Sequence, residues 1–281
     1  MNEKEFVKIG EPNLFWSYFY KISNIPRCSG NEKRVREFVK ETAESHNFLT
    51  KIDKAGNLFV TNSNQKVNTP TLILQSHLDM VCEKNEDIVH NFKDDPLKLL
   101  IIEKNGKKWI TADGTTLGAD DGIGMAYMLT IIQLIGSGKL KFDNLNLNFI
   151  FTVNEEGGMF GAYQIDENFL KGDYLINLDS ESIDDFTIGC VGGNYTTFEL
   201  DFSRSRLNRG SELIPMHISI GGLKGGHAGV DINKSRGNSI KILSRILWNL
   251  RSNFQLYLGT INGGNSLNAI PREAFSEILI K

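Results

Sequence analysis

Cysteine is scarce in this chain: the three present, Cys28, Cys82 and Cys190, are too few and too dispersed for a disulfide framework or a zinc knuckle. They read as free thiols. Long apolar runs are missing too, and none approaches the ~18 residues that mark a membrane-spanning helix. The start, Met1-Asn2-Glu3-Lys4-Glu5-Phe6, lacks the basic stretch and apolar core of a secretory signal. The expected compartment is therefore the cytoplasm, with no membrane partner. Basic charge is not in excess: 31 Lys and Arg stand against 34 Asp and Glu, for a net charge of −3. The lysines are scattered, which argues against nucleic acid as a partner. There is no repeat of fixed period and no low-complexity linker. What remains is a 281-residue chain with 40% apolar content, enough for a real core and about two domains of roughly 100–200 residues each.

The first part alternates between helix and strand patterns. Asn13 to Ile22 carries aromatic and apolar residues at helical spacing, and Ser29-Gly30-Asn31-Glu32 reads as a capping box opening a second helix through Val35, Phe38 and Val39. Lys51–Asp53 and Asn57–Val60 read as strands around a glycine turn, and Thr71–Gln75 as a buried strand. Asp121 to Ile135 fits a mostly buried helix. Leu145–Val153 and Tyr174–Leu178 read as further strands, with Met159–Ile165 between them. This alternation predicts an α/β domain, a mixed sheet layered between helices, over residues 1–185. From 186 to 281 the pattern predicts a second, α+β domain. Its expected strands are 185–189, 195–202, 216–220, 254–258 and 275–280, with a glycine-rich loop at 221–229 and an amphipathic helix at 238–250.

The chemistry stands where apolar runs stop. His77 and Asp79 follow one strand, Asp120 and Asp121 precede the long helix, Glu155 and Glu156 end another strand, and Asp179 ends a third. The carboxyl ends of strands in an open α/β sheet converge on one crevice. So many carboxylates and an imidazole need positive charge among them, and a divalent metal pair supplies it economically. In His77-Leu78-Asp79 the two side chains share one side of an extended segment, so the carboxylate can fix the tautomer of a ligating ring. One carboxylate of Asp120-Asp121 can cap the helix while the other ligates, and Gly118 and Gly122 let the backbone bend sharply there. Of Glu155 and Glu156, one can hold metal while the other shuttles a proton.

These residues stand in blocks that resemble the aminoacyl-histidine dipeptidases, dinuclear metallopeptidases. The blocks are His77-Leu78-Asp79-Met80-Val81, Gly118-Ala119-Asp120-Asp121-Gly122-Ile123-Gly124, Val153-Asn154-Glu155-Glu156-Gly157-Gly158-Met159 and Asn177-Leu178-Asp179-Ser180-Glu181. The resemblance continues through Gly189–Gly193, Gly222–Ile232 with its Gly225-Gly226-His227, and Gly263–Glu273. It implies a zinc-peptidase-like catalytic domain interrupted by a lid domain that begins near residue 185, through which two copies pair. It also implies two divalent ions, zinc in the first place and cobalt or manganese as replacements. His77 and Asp179 would ligate one ion, Asp120 would bridge both, and Glu156 would ligate the second. Asp79 would orient His77, and Glu155 would be the general base. His227 would steady the oxyanion, and Asn268 would bind the substrate backbone or carboxylate.

The implied reaction is hydrolysis of short peptides, Xaa-His dipeptides such as carnosine or a broader set. Tripeptidases and N-acyl-amino-acid deacylases share the same ligands, and a non-catalytic metal- or peptide-binding remnant is the alternative from another class. The family pattern also places a further histidine ligand of the Glu156 ion near the far C-terminus. His46, His90 and His217 do not stand in such a context, so the resemblance implies a C-terminally truncated form that lacks the rest of the lid and the return to the catalytic domain.

Overall fold

A computed structural model describes residues 2–85, 88–180, 184–189, 192, 194, 196–207, 212–229 and 231–281. The chain forms two compact units, Met1–Cys190 and Val191–Lys281. No helix among the described residues is long and apolar enough to cross a membrane.

The first unit contains helices α1 (Glu3–Phe6), α2 (Asn13–Ser23), α3 (Lys33–Ser45), α4 (Ala119–Gly136) and α5 (Phe160–Tyr163), and strands β1 (Phe48–Ile52), β2 (Leu58–Asn62), β3 (Thr71–His77), β4 (Leu99–Lys104), β5 (Lys107–Ala112), β6 (Asn146–Thr152) and β7 (Tyr174–Asn177). Five strands form a mixed sheet in the order β1-β2-β6-β3-β7. β1, β2 and β6 pair antiparallel, whereas β3 runs parallel to both β6 and β7. Side-chain alternation sorts the two faces. Leu58, Val60, Leu74, Leu147, Phe149 and Phe151 enter the main core with α2, α3 and α4, while Phe59, Ile73 and Ile150 turn to a smaller cluster around Phe169. The helices dock as their spacing dictates: Phe15, Tyr18, Phe19 and Ile22 form the buried stripe of α2, and Val35, Val39 and Ala43 that of α3. The consequence for function is topological. β6, β3 and β7 are parallel neighbours, so their carboxyl ends, followed by Glu155, His77 and Asp179, open on the same edge of the sheet.

The β4–β5 hairpin, paired from Leu99↔Ala112 to Lys104↔Lys107, was not anticipated. Its signal was Asn105-Gly106, with both residues at positive φ, the usual two-residue turn between strands.

Three expectations are corrected. Cys28 and Cys82 are not free thiols but form a disulfide with Cα atoms 5.7 Å apart; a parallel bridge between Cys28 and Met80 brings the two segments together. Cys190 lies outside the described residues. The Ser29–Glu32 capping box does not form: α3 starts at Lys33 without a side-chain cap, because Ser29 is taken by a distant partner described below and Glu32 Oε1 accepts from the Gly30 N–H at 2.9 Å and from the Asn154 N–H. Finally, residues 185–189 and 196–202 form no strand. A strand needs a neighbour for its backbone groups; no described strand pairs with either segment, and Phe186 and Phe198 stay exposed. Tyr195 and most of the Cys190–Gly193 turn lie outside the described residues.

The second unit holds β8 (Ile214–Ile220), β9 (Gly226–His227), α6 (Ser239–Asn253), β10 (Leu256–Gly263), β11 (Ala269–Ile270) and β12 (Ala274–Ile280). β12 is the centre of an antiparallel sheet ordered β10-β12-β8. It buries Ala274, Ser276 and Ile278 and exposes Phe275 and Glu277, a period-2 pattern, and α6, which buries Leu243, packs on this sheet. Asn238 caps α6 by accepting from the Lys241 N–H at 3.0 Å.

Candidate metal centre

His77 is the hub. It ends β3, is 1% exposed, and points Nε2 at Asp120 Oδ1 across 2.7 Å and at Asp179 Oδ2 across 3.7 Å. On its other side Nδ1 faces Asp79 Oδ1 at 3.4 Å. Asp79 is fully buried. Its Oδ1 accepts from the Glu155 N–H at 2.9 Å, and its Oδ2 accepts from the Glu156 N–H at 3.1 Å and from Ser29 Oγ at 2.7 Å. One carboxylate therefore ties the end of β3 to the turn after β6 and to the segment before α3.

That turn is held one peptide at a time. The Val153 N–H donates to Asn57 Oδ1 at 3.1 Å, and the Asn154 N–H to Glu32 Oε1 at 2.9 Å. With the two bonds to Asp79, four successive N–H groups each end on a buried acceptor. The side chains of Glu155 and Glu156 are left to project half-buried. Asn57 and the buried Arg27 were not singled out from sequence, and Ser29 and Glu32 were read only as a capping box. Asn57, Ser29 and Glu32 carry short-range turn and cap signals, and nothing local told that they reach across the fold.

Asp120 and Asp121 divide their work. Asp121 is buried; its Oδ1 accepts from the Gly124 N–H at 3.0 Å and its Oδ2 from the His77 N–H at 3.2 Å, so it caps the part of α4 that follows the non-helical residues Asp120 and Asp121 and pins it to β3. Asp120 points its carboxylate to His77 and solvent. Two overlapping groups offer ligand atoms that all lie within 4.8 Å of one another: His77, Asp120 and Glu156, and His77, Asp121 and Asp179.

Electrostatics express the crowding. Burial, then the charge on Asp120, pushes Glu156 up to about 7. Burial, then Asp120 and Asp121, does the same for Asp179, also to about 7. Burial raises Asp121 to about 6 and raises Glu155 above the usual carboxylate range. Burial alone would lower His77, but its contacts with Asp120 and Asp79 outweigh it and hold the ring up at about 11. Asp79 is the counterexample: despite burial, its contact with the His77 ring and the bonds it accepts from the Glu155 N–H and Ser29 keep it below the ordinary value. A cluster in which carboxyls retain protons near neutrality fits a dication, which would replace those protons. One imidazole nitrogen with several carboxylate oxygens is a donor set suited to zinc, cobalt or manganese.

The other two expected site residues belong to the second unit, where they are neighbours. β9 pairs with β11 through His227↔Ala269, and the Ala228 N–H donates to Asn268 O at 2.7 Å. The Gly229 N–H donates to His227 Nδ1 at 3.1 Å, which puts the ring proton on Nε2 and makes that nitrogen a donor. Asp231 accepts from the His227 N–H at 2.9 Å and from Arg236 at 2.8 Å, fixing the loop. Asn268 Oδ1 accepts from Ser266 Oγ at 2.5 Å.

Residues 57–201, just over half of the chain, match Peptidase family M28, and residues 218–281 match a peptidase dimerisation domain. The cytosol non-specific dipeptidase of Escherichia coli (strain K12) is 37% identical over 96% of this chain and 54% of its own length. The crystal structure of aminoacylhistidine dipeptidase from Vibrio alginolyticus superposes with a TM-score of 0.59 at 34% identity, covering 98% of this chain and 54% of that one. A tripeptidase from Staphylococcus aureus shares the fold, with a TM-score of 0.50 at 21% identity over 100% of this chain and 66% of that chain. The chain spans about half the length of the dipeptidase relatives it matches. On the family match over just over half of its length, the chain belongs to Peptidase family M28.

Proposed function

We propose that this chain carries the catalytic centre of a dinuclear metal-dependent dipeptidase acting on Xaa-His dipeptides such as carnosine or a broader set of dipeptides. The observation that carries this reading is the double use of Asp79. Its two oxygens fix the backbone of Glu155 and Glu156 while one of them faces His77, so a base and ligands from separate segments share one frame. His77 and Asp179 would hold one divalent ion, Asp120 would bridge, and Glu156 would hold the second, with zinc the first choice and cobalt or manganese able to replace it. When bound, the ions supply Lewis acidity that polarises the scissile carbonyl and eases deprotonation of water.

The residues do the rest. Asp79 keeps the His77 ring oriented. Glu155, raised by burial, takes the proton of the attacking water and returns it to the departing amine. His227, a donor through Nε2, steadies the oxyanion of the tetrahedral intermediate, and Asn268 binds the substrate backbone or carboxylate. The first unit is thus the catalytic domain, over about residues 1–185, and the remainder, 186–281, belongs to a lid through which two copies pair, as the dimerisation-domain match supports. The cytosolic naming of the Escherichia coli relative supports a cytoplasmic location.

The test is a substrate panel. The purified chain, loaded with zinc, cobalt or manganese, is given carnosine, other dipeptides, tripeptides and acetylated amino acids. Metal-dependent release of amino acids from dipeptides supports the proposal. Preference for tripeptides or acetylated amino acids overturns the substrate class. Metal uptake without turnover, unrescued by the second half of a full-length relative added in trans, makes the chain a binding remnant.

A further inference from the structure

The acidic centre contains a buried cation to which the reaction gives no part. Arg27 lies between α2 and α3 and is 1% exposed. Its Nη1 donates to Leu78 O at 3.1 Å and to Asp79 O at 2.6 Å, and its Nη2 donates to Gly118 O. The Met80 N–H in turn donates to Arg27 O at 3.1 Å. Leu78 and Asp79 belong to the turn that carries His77; Gly118 begins the turn that carries Asp120 and Asp121. One planar fork thus spans the two backbone segments that bring the central histidine and the aspartate pair together.

The room for this fork is built. A Cβ at Gly118, which has φ +65°, would come within 2.7 Å of Nη2, and one at Gly122 within 2.8 Å. These glycines, read from sequence as bending points, also form the cradle of the guanidinium. Asp121, Asp79, Asp120 and Glu156 all act on this cation electrostatically. A purely space-filling role would be served by an apolar side chain of similar size without the desolvation cost of a buried charge.

We propose that Arg27 is a positioning residue of the metal centre: its guanidinium locks the His77–Asp79 turn against the Gly118–Asp121 turn at ligand spacing and holds fixed positive charge beside the carboxylates. This rests on the metal-centre reading above, and it adds a protein cation to the metal pair that the sequence reading named as the economical source of positive charge. Arg27 acts through the carbonyls of residues 78, 79 and 118.

The experiment measures cobalt and zinc binding to the full 281-residue chain by calorimetry, together with the visible absorption of the cobalt form. Arg27→Met should weaken binding of the ions by about ten- to a hundredfold, the range for removing a group that orients ligands, and should change the cobalt spectrum. Arg27→Lys should recover part of both. Gly122→Ala, whose methyl would displace Nη2, should weaken binding in the wild-type background and add little in the Arg27→Met background. Wild-type affinity and spectrum in folded Arg27→Met, or full additivity of the two substitutions, overturns the proposal. If Arg27→Met does not fold, an unaltered cobalt spectrum in both Arg27→Lys and Gly122→Ala overturns it instead. His77→Ala separates this from the parent reading. Undiminished metal uptake in that variant sinks the metal centre itself, whereas loss there with no effect at Arg27 sinks only the role of Arg27.

Discussion

Replacing Asp79 by Asn tests the frame of the site with almost no change in volume. The carboxylate accepts three bonds, from the Glu155 N–H, the Glu156 N–H and Ser29 Oγ, and an amide has only one oxygen. Either orientation turns its NH2 group toward a backbone N–H, leaving a buried donor without an acceptor at a cost of about 1–3 kcal/mol. The bonds that survive lose their charge assistance, roughly 1 kcal/mol more. Asp79→Asn should therefore destabilise the metal-free first unit by about 2–4 kcal/mol, which for a domain of this size lowers Tm by roughly 5–15 °C. Because the Asp79 carboxyl is held below its ordinary value, its stabilisation is present above the unfolded pKa of about 3.9 and is lost as pH falls through the lower folded value. The gap between wild type and variant should accordingly be full at pH 7 and close in acid. Thermal unfolding followed by circular dichroism, in chelator and at several pH values, measures it. A Tm within about 1 °C of wild type at pH 7, or a gap that widens in acid, would refute the reasoning, while Ser29→Ala, which removes one bond, should cost only about 1 kcal/mol.

Glu155→Gln should bind the same number of ions by elemental analysis yet lower kcat by about 10²–10⁴, the usual worth of a positioned general base; loss of metal instead would make Glu155 a ligand. Metal-free protein should lose thermal stability as pH rises from about 4 to 7. The folded state keeps protons on Asp121, Glu156 and Asp179, at about 6, 7 and 7, that the unfolded chain gives up near 4. His77, raised to about 11, continues the same trend above its unfolded value of about 6.5; saturating zinc should flatten the profile, as a pH series of melting curves shows. Reducing the Cys28–Cys82 bond, which closes a sequence separation of 54, should lower stability by up to about 4 kcal/mol in the chain-entropy account. Urea titrations with and without reductant read this.

The helical stripes of α2 and α3, the apolar runs of β3 and β6, and the acidic residues just past them were legible because each is a local pattern whose period matches one element. His77, Asp79, Glu155 and Glu156 follow from that: they stand where a buried run stops, whereas Asp179 follows the apolar but exposed β7. Ser29 and Glu32 show the limit. Their spacing is that of a capping box, yet Ser29 binds Asp79 and Glu32 binds the Asn154 N–H, since a buried acceptor with a backbone donor to satisfy outcompetes a cap that water can replace. The alternating residues 185–189 and 196–202 fail as strands for the converse reason, because alternation describes a face and not the neighbour that must pair with it.

By itself, then, the sequence determined the apolar periodicity of α2, α3, β3 and β6 and the polar side chains just past the strands, because periodicity is a property of a few consecutive residues. Only the tertiary structure decided that β6, β3 and β7 lie side by side, that Cys28 meets Cys82, that Asp121 caps while Asp120 faces His77, and that Arg27 enters the acidic centre. Each of these depends on a contact between segments far apart in the chain, and such contacts are chosen by the competition of all buried donors and acceptors for partners, which no local pattern encodes.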